Sequence, residues 1–285
     1  MGEKITISDL SAAKEASRKF TAVSCYDYTS ACLVAETSVE MILVGDSASQ
    51  FMLGYDSTLP VTMDFMVAIT AAVRRAAPGV CLSADMPFLS YQVSVEEAVR
   101  NAGRFYQSAG ANIVKIEATE AHLPVIKAVS DAGMAVMAHI GLRPQSIAKT
   151  GKLKAEGTGA GAALELIKLS EQMVAAGASM ILLEGTAREV AKIITEKLPV
   201  PVLSCGSGPD CDGQILVLPD ILALGKGQIP KFSKCYGQIG NEINKAVRAY
   251  DQEVKGGSFP DDAHSYHIKT GELTKLQDLL KAEKL

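Results

Sequence analysis

Eight short runs rich in Val, Ile, Leu and Met recur along the chain, at 21–24, 41–45, 80–84, 112–116, 134–139, 179–183, 200–204 and 215–218. None alternates cleanly between apolar and polar residues. A strand with one wet face shows that alternation, so these runs fit strands covered on both faces, as in parallel sheets. Helix-like stretches separate them. Thr62 precedes one, with Asp64 in its first turn; Ser94-Val95-Glu96-Glu97 is a capping box for a helix to Ala109; Thr186-Ala187-Arg188-Glu189 reads as another, for a helix to Lys197. Gly110, Gly133 and Gly177 stand shortly before the next strand, where a left-handed residue can end a helix. The pattern predicts an α/β fold, a single-domain (β/α)8 barrel of the TIM type, with an open doubly wound sheet as the alternative. One connection fits poorly. From Cys205 to Gln214 there is no room for a crossover helix, so either the seventh or eighth strand is misassigned or the barrel is irregular there.

With 285 residues and no break in composition, the chain suits one large domain. The barrel is expected over 1–268, followed by a helical extension over 269–285 that is not a separate domain. Leu273, Leu276, Leu279 and Leu280 share one face of that helix, for packing on the barrel or on a neighbouring subunit. The stretch 256–267 reads as a long loop. A formal net charge of −4 provides no basic footprint, so neither nucleic acid nor an anionic membrane is an expected partner. No apolar run approaches the ~18 residues of a membrane span, and the N-terminal stretch lacks the apolar core of a signal peptide. Six cysteines without a CxxC pair point to a reduced, cytoplasmic protein. His264 and His267 form HxxH without cysteine partners and read as a polar loop, not a zinc site.

Four of the runs end in an acid: MILVGD at 41–46, VCLSAD at 80–85, NIVKIE at 112–117 and SMILLE at 179–184. An acid at the tip of a buried strand is costly to desolvate without compensation. One such acid is commonly a helix cap or a loop ion pair. Recurrence at successive tips instead places Asp46, Asp85, Glu117 and Glu184 at one barrel mouth, where catalysis collects. Converging carboxylates favour a hard cation, Mg2+ or Mn2+, over zinc. Lys115 and Glu117 are two apart on a strand and face the same side. Lys115 can clamp an anionic substrate, form a Schiff base, or simply pair with Glu117. His139 is either a hydrogen-bonded core residue or a substrate contact beside the polar loop 141–146. Glu184, beside so much hydrocarbon, is a general base of raised pKa or a cap for the helix after Thr186. Gly206-Ser207-Gly208 reads more readily as a tight turn than as a phosphate cradle.

At these residues the sequence resembles the ketopantoate (3-methyl-2-oxobutanoate) hydroxymethyltransferase family, from about Thr21 to His267. The matching motifs are VGDS at 44–47, GYDSTLPVT at 54–62, ADMPF at 84–88, VKIE at 114–117, HIGLRPQS at 139–146, DGQILV at 212–217, IPKF at 229–232 and HSYH at 264–267. The resemblance implies a barrel related to phosphoenolpyruvate mutase and isocitrate lyase. It implies transfer of a one-carbon unit from 5,10-methylenetetrahydrofolate to 3-methyl-2-oxobutanoate through a metal-stabilised enolate. It further implies that Asp46 and Asp85 bind Mg2+, with Glu117 joining through water. Ser47 and Lys115 hold the substrate carboxylate, with Asp46 and Asp85 also beside the substrate. His139 contacts the substrate or the incoming hydroxymethyl oxygen, and Glu184 is the base. The loop carrying Asp56 and Ser57 covers the site, and the chain forms a homodecamer. The sequence departs from the family pattern at Cys25, Ala118-Thr119, 150–161 and 204–208. Those departures leave open a sister activity on another branched 2-oxo acid.

Overall fold

The computed structural model describes residues 4–152, 154–225 and 229–284. Its strands are β1 (Phe20–Ser24), β2 (Met41–Val44), β3 (Cys81–Asp85), β4 (Ile113–Glu117), β5 (Val136–Gly141), β6 (Met180–Glu184), β7 (Val202–Cys205) and β8 (Gly213–Val217). All neighbours are parallel, and β8 returns to β1, closing the barrel in chain order. The open sheet is therefore not formed. Every strand begins and ends within two residues of its sequence expectation. The small shifts matter, because Asp85, Glu117 and Glu184 become the last residues of their strands and are held in the ladder.

Side-chain parity divides the molecule into two cores. Inward residues such as Phe20, Met41, Ile113, Met137, Met180 and Leu203 fill the barrel, joined at the N-terminal end by Leu10 from the helix Ile7–Glu15. Outward residues such as Ile42, Val44, Val114, Ile116 and Ile181 pack beneath the surrounding helices. The strands are buried on both sides, which explains why their sequences lack alternation.

Local signals set most of the crossovers. Thr62 accepts from the Phe65 N–H and Ser94 from the Glu97 N–H, starting the helices Met63–Ala76 and Val95–Ala109. Gly110, Gly133 and Gly177 adopt positive φ as expected. The capping box at Thr186 does not form. The helix there starts at Arg188 with Ala187 as its cap, because Thr186 is bound into the strand end. Its N–H donates to Ser207 Oγ (3.0 Å), and it bridges to Glu156.

The short β7–β8 connection is an irregularity of the barrel, and both strands stand. Gly213 pairs with Leu203, two residues before the end of β7. The chain therefore steps back only ~7 Å along the barrel, which a turn can span without a helix. Asp212 secures the turn by accepting from the Val202 N–H and from Lys14 Nζ, both at 2.8 Å. Gly206 (φ 72°) lies under the Phe232 ring, where an added Cβ would fall 2.5 Å from ring carbons. This is tight backbone packing of the kind the sequence suggests.

The chain divides into two compact units, the barrel unit up to Tyr236 and a second over Gly237–Leu285. That unit holds the helices Ile239–Gly256 and Glu272–Ala282, and none of its described residues is fully buried. Within 256–267 the chain forms a short 3-10 turn, Asp262–His264, in which Asp261 caps and pairs with His264.

Gly141 ends β5 with φ +92°, and an added Cβ would sit 2.4 Å from the Glu184 carbonyl oxygen. Gly141→Ala is expected to cost about 1–3 kcal/mol from the backbone conformation alone. Urea denaturation of the variant against wild type measures it.

Candidate active site

The inward parity that packs hydrocarbon at the base of the barrel brings titratable groups to its mouth. Lys115 and Glu117 project inward from β4, Asp85 from β3, His139 from β5 and Glu184 from β6, while Ile116 turns to the helices. Asp46 and Ser47 lie just past β2, with Ser47 at the start of the short helix Ala48–Phe51. All seven line one cavity of about 990 Å3. The structure thus gathers every residue that the sequence singled out for chemistry. Asp56, Ser57 and Thr58 line the same cavity.

Lys115 Nζ is the centre of the cluster. It lies 3.0 Å from Asp85 Oδ2 and 3.2 Å from His139 Nδ1. Its carboxylate partner is therefore Asp85, in place of the Glu117 pairing that the strand spacing allowed. Burial alone would lower the Lys115 pKa, but Asp85, Asp46 and Glu117 outweigh it and raise the pKa above the ordinary value. The ammonium donates to Nδ1, so that nitrogen is an acceptor and the imidazole proton sits on Nε2. Burial and the adjacent Lys115 charge hold the His139 pKa well below its usual range, and the ring is neutral. Nε2 is buried, makes no hydrogen bond of good geometry, and lies 3.3 Å from Glu184 Oε2.

The carboxylates are crowded. Burial pushes Asp85 up, more than Lys115 beside it pulls it down. Burial likewise raises Glu117 well above its usual range, against the pull of Lys115. Desolvation raises Glu184 from 4.5 to about 7, opposed only by Lys115. Glu184 does not cap the following helix. Its side chain is one-fifth exposed to the cavity, within reach of a bound molecule.

Three residues given no role by the sequence complete the network. Gln145 donates from Nε2 to Asp46 Oδ2 (2.8 Å), and its backbone N–H donates to Glu117 Oε2 (3.0 Å). Tyr91 donates to Gln145 Oε1 (2.8 Å). Tyr26 shares a hydrogen bond with Ser47 Oγ (2.8 Å). The loop 141–146 had flagged polar groups near the site, but spacing along one chain does not say which other strand tip they meet.

The donor set suits a hard cation. Asp46 and Asp85 are adjacent, since the Asp46 N–H donates to Asp85 Oδ2 at 3.0 Å. Asp85 Oδ1 is buried without a hydrogen-bond partner, a costly state that a cation would relieve. Among the described residues no group of three or more His, Cys, Asp or Glu side chains is placed to hold a metal ion. A magnesium site ordinarily uses one or two carboxylates and leaves the rest to water and substrate, so an open pair fits that ion.

A closed eight-stranded barrel with an acid–lysine–histidine cluster at the C-terminal ends of its strands defines a TIM-barrel enzyme. The family model for ketopantoate hydroxymethyltransferase matches residues 4–262, and the chain belongs to that family. Among its relatives, the 3-methyl-2-oxobutanoate hydroxymethyltransferase of Syntrophus aciditrophicus is 44% identical over 93% of this chain and 97% of its own length. That of Pelobacter propionicus is 45% identical over 94% and 99%. Among solved structures, a phosphonopyruvate hydrolase in complex with oxalate and Mg2+ aligns with TM-score 0.60 at 16% identity, covering 98% of this chain and 97% of its own. A 2,3-dimethylmalate lyase of the phosphoenolpyruvate mutase/isocitrate lyase superfamily aligns with TM-score 0.59 at 16% identity, covering 98% and 96%. These distant structures share the fold.

A carboxyl whose pKa is raised by folding binds its proton more tightly in the native state. Its contribution to stability is therefore greatest below the unfolded value and falls as pH rises through the native one. Glu184 spans 4.5 to about 7. The metal-free protein is expected to lose stability between pH 5 and 7.5, and Glu184→Gln to remove a part on the order of a few kcal/mol. Urea denaturation of both proteins at the two pH values tests this.

Proposed function

We propose that the protein transfers a hydroxymethyl group from 5,10-methylenetetrahydrofolate to 3-methyl-2-oxobutanoate, forming 2-dehydropantoate in pantothenate biosynthesis. The observation that carries this reading is Glu184, a carboxylate with a pKa of about 7, set against the neutral His139 within a cluster of acids around Lys115. Family membership supports the choice of substrate.

Lys115 and Ser47 are the groups suited to holding the substrate carboxylate. Asp46 and Asp85 would hold a divalent cation, Mg2+ or Mn2+, with Glu117 joining through water. When bound, that ion supplies positive charge against the substrate keto oxygen, easing loss of the C3 proton. Glu184 takes that proton, its pKa being close to the working pH. Hydrolysis of the donor's two C–N bonds delivers one carbon at the oxidation level of formaldehyde, with its oxygen from water. C3 forms the new C–C bond to that carbon. The His139 Nε2–H faces Glu184 and is free to donate to the new alkoxide, which takes the proton back from Glu184. Neither the atoms nor the charge require an oxidant. The cavity, at about 990 Å3, exceeds what a five-carbon acid fills and leaves room for the folate.

A Schiff base on Lys115 is disfavoured, because a nucleophilic amine needs a lowered pKa and this one is raised. A helix with Ile239, Ile243, Val247, Tyr250 and Val254 along one face, each 40–60% exposed, supports assembly into a homo-oligomer. Among the described residues no helix is long and apolar enough to cross a membrane, and a cytoplasmic location is part of the same proposal.

The decisive measurement is exchange of the C3 proton of 3-methyl-2-oxobutanoate with D2O, followed by NMR without folate. Exchange is expected to require a divalent cation and to stop on chelation; equal rates with and without metal would overturn the reading. Glu184→Gln is expected to lose about 10²–10⁴-fold in exchange while retaining metal. Asp46→Ala and Asp85→Ala are each expected to weaken metal binding. Faster exchange with another branched 2-oxo acid would move the assignment to that substrate.

A further inference from the structure

Asp46 is the one proposed cation ligand that no strand holds. It lies past the end of β2, outside the ladder. Asp85 Oδ2 is fixed by Lys115 Nζ and by the Asp46 N–H, and Glu117 by the backbone N–H of Gln145. For the Asp46 carboxylate, among the described residues, the hydrogen bond is the one from Gln145 Nε2 at 2.8 Å. Gln145 sits on the 3-10 turn Pro144–Ser146 that follows β5, and it is 5% exposed.

The carboxamide has both ends occupied. Nε2 donates to Asp46 Oδ2 and to the Met86 carbonyl (3.1 Å). Oε1 accepts from Tyr91 Oη (2.8 Å) and Gln92 Nε2 (3.3 Å). Two donors and two lone pairs are thereby used, and a flipped amide would set its oxygen against a carboxylate and a carbonyl. The orientation is therefore fixed. With Oδ2 tied down, Asp46 keeps Oδ1 for a ligand, just as Asp85 keeps its unpartnered Oδ1. Asp46 and Asp85 are thus neighbouring carboxylates, each with one oxygen held by the protein and one left over.

We infer that Gln145 is a positioning residue that sets the Asp46 carboxylate for the divalent cation, with Tyr91 locking its amide. This rests on the metal reading under Proposed function. A residue serving only to tie the loop after β5 to the loop after β2 would have no influence on cation affinity once the protein is folded. A residue that orients a ligand changes that affinity by about 10–100-fold.

The test is titration of the full chain with Mn2+ alone, followed by electron paramagnetic resonance of the free ion. Gln145→Met preserves volume and removes the carboxamide. It is expected to bind Mn2+ about 10–100-fold more weakly, and saturating Mn2+ is expected to recover most of kcat in the exchange assay. An Mn2+ affinity equal to that of wild type overturns the inference and leaves the metal reading standing. A wild-type protein that binds no Mn2+ overturns both. Should Gln145→Met fail to fold, Tyr91→Phe decides the matter, since it removes the shorter of the two bonds to Oε1 while leaving both Nε2 bonds. A loss of about threefold, the worth of one hydrogen bond, supports the inference, and unchanged affinity overturns it.

Discussion

One buried ammonium organises the mouth of this barrel. Lys115 Nζ stands among Asp46, Asp85, Glu117 and Glu184, four carboxylates against a single fixed positive charge. Without it, the acids could be packed together only with protons on them, because burial disfavours each charge and proximity disfavours all of them jointly. With it, Asp85 and His139 are both anchored, and the tautomer of His139 is determined. Four acids against one ammonium leave the cluster short of positive charge, in keeping with the divalent cation proposed above.

Glu184 occupies a different position from the other acids. Its Oε2 lies 3.3 Å from His139 Nε2, it opens to the cavity, and desolvation raises its pKa to about 7. Asp85, although paired with Lys115, is likewise raised by burial, so what sets Glu184 apart is its access to a bound molecule. Chemically identical side chains thus differ in what they face: Asp85 the lysine, Glu117 the backbone N–H of Gln145, Glu184 the cavity and His139. Gly141, free to adopt positive φ and lacking a Cβ, lets the β5 backbone approach the Glu184 carbonyl closely enough to pair.

Most of the architecture was legible in the chain. Buried parallel strands need apolar residues on both faces, so their positions show as uninterrupted runs, and Thr62, Ser94 and the glycine stops mark the helices through local chemistry. The failures were equally physical. Thr186 has the local signature of a cap, but its backbone is engaged with Ser207, a contact 21 residues away. The β7–β8 turn looked too short because strand stagger, a property of the closed barrel, is invisible along one strand. The helix Ile239–Gly256, which the sequence reading passed over, groups with the tail, a matter of packing that composition does not record.

By itself the sequence determined the number and order of strands, and it placed Lys115 and Glu117 on one side of β4 through the two-residue repeat of an extended chain. It also marked Asp46, Asp85 and Glu184 as acids at strand ends. Only the tertiary structure decided who faces whom: that Lys115 pairs with Asp85, that His139 turns Nε2 toward Glu184, and that Gln145 reaches back to Asp46 across 99 positions. The reason is geometric. Parity along a strand is a local property of the backbone, whereas register between strands and the meeting of loops exist only once the barrel has closed.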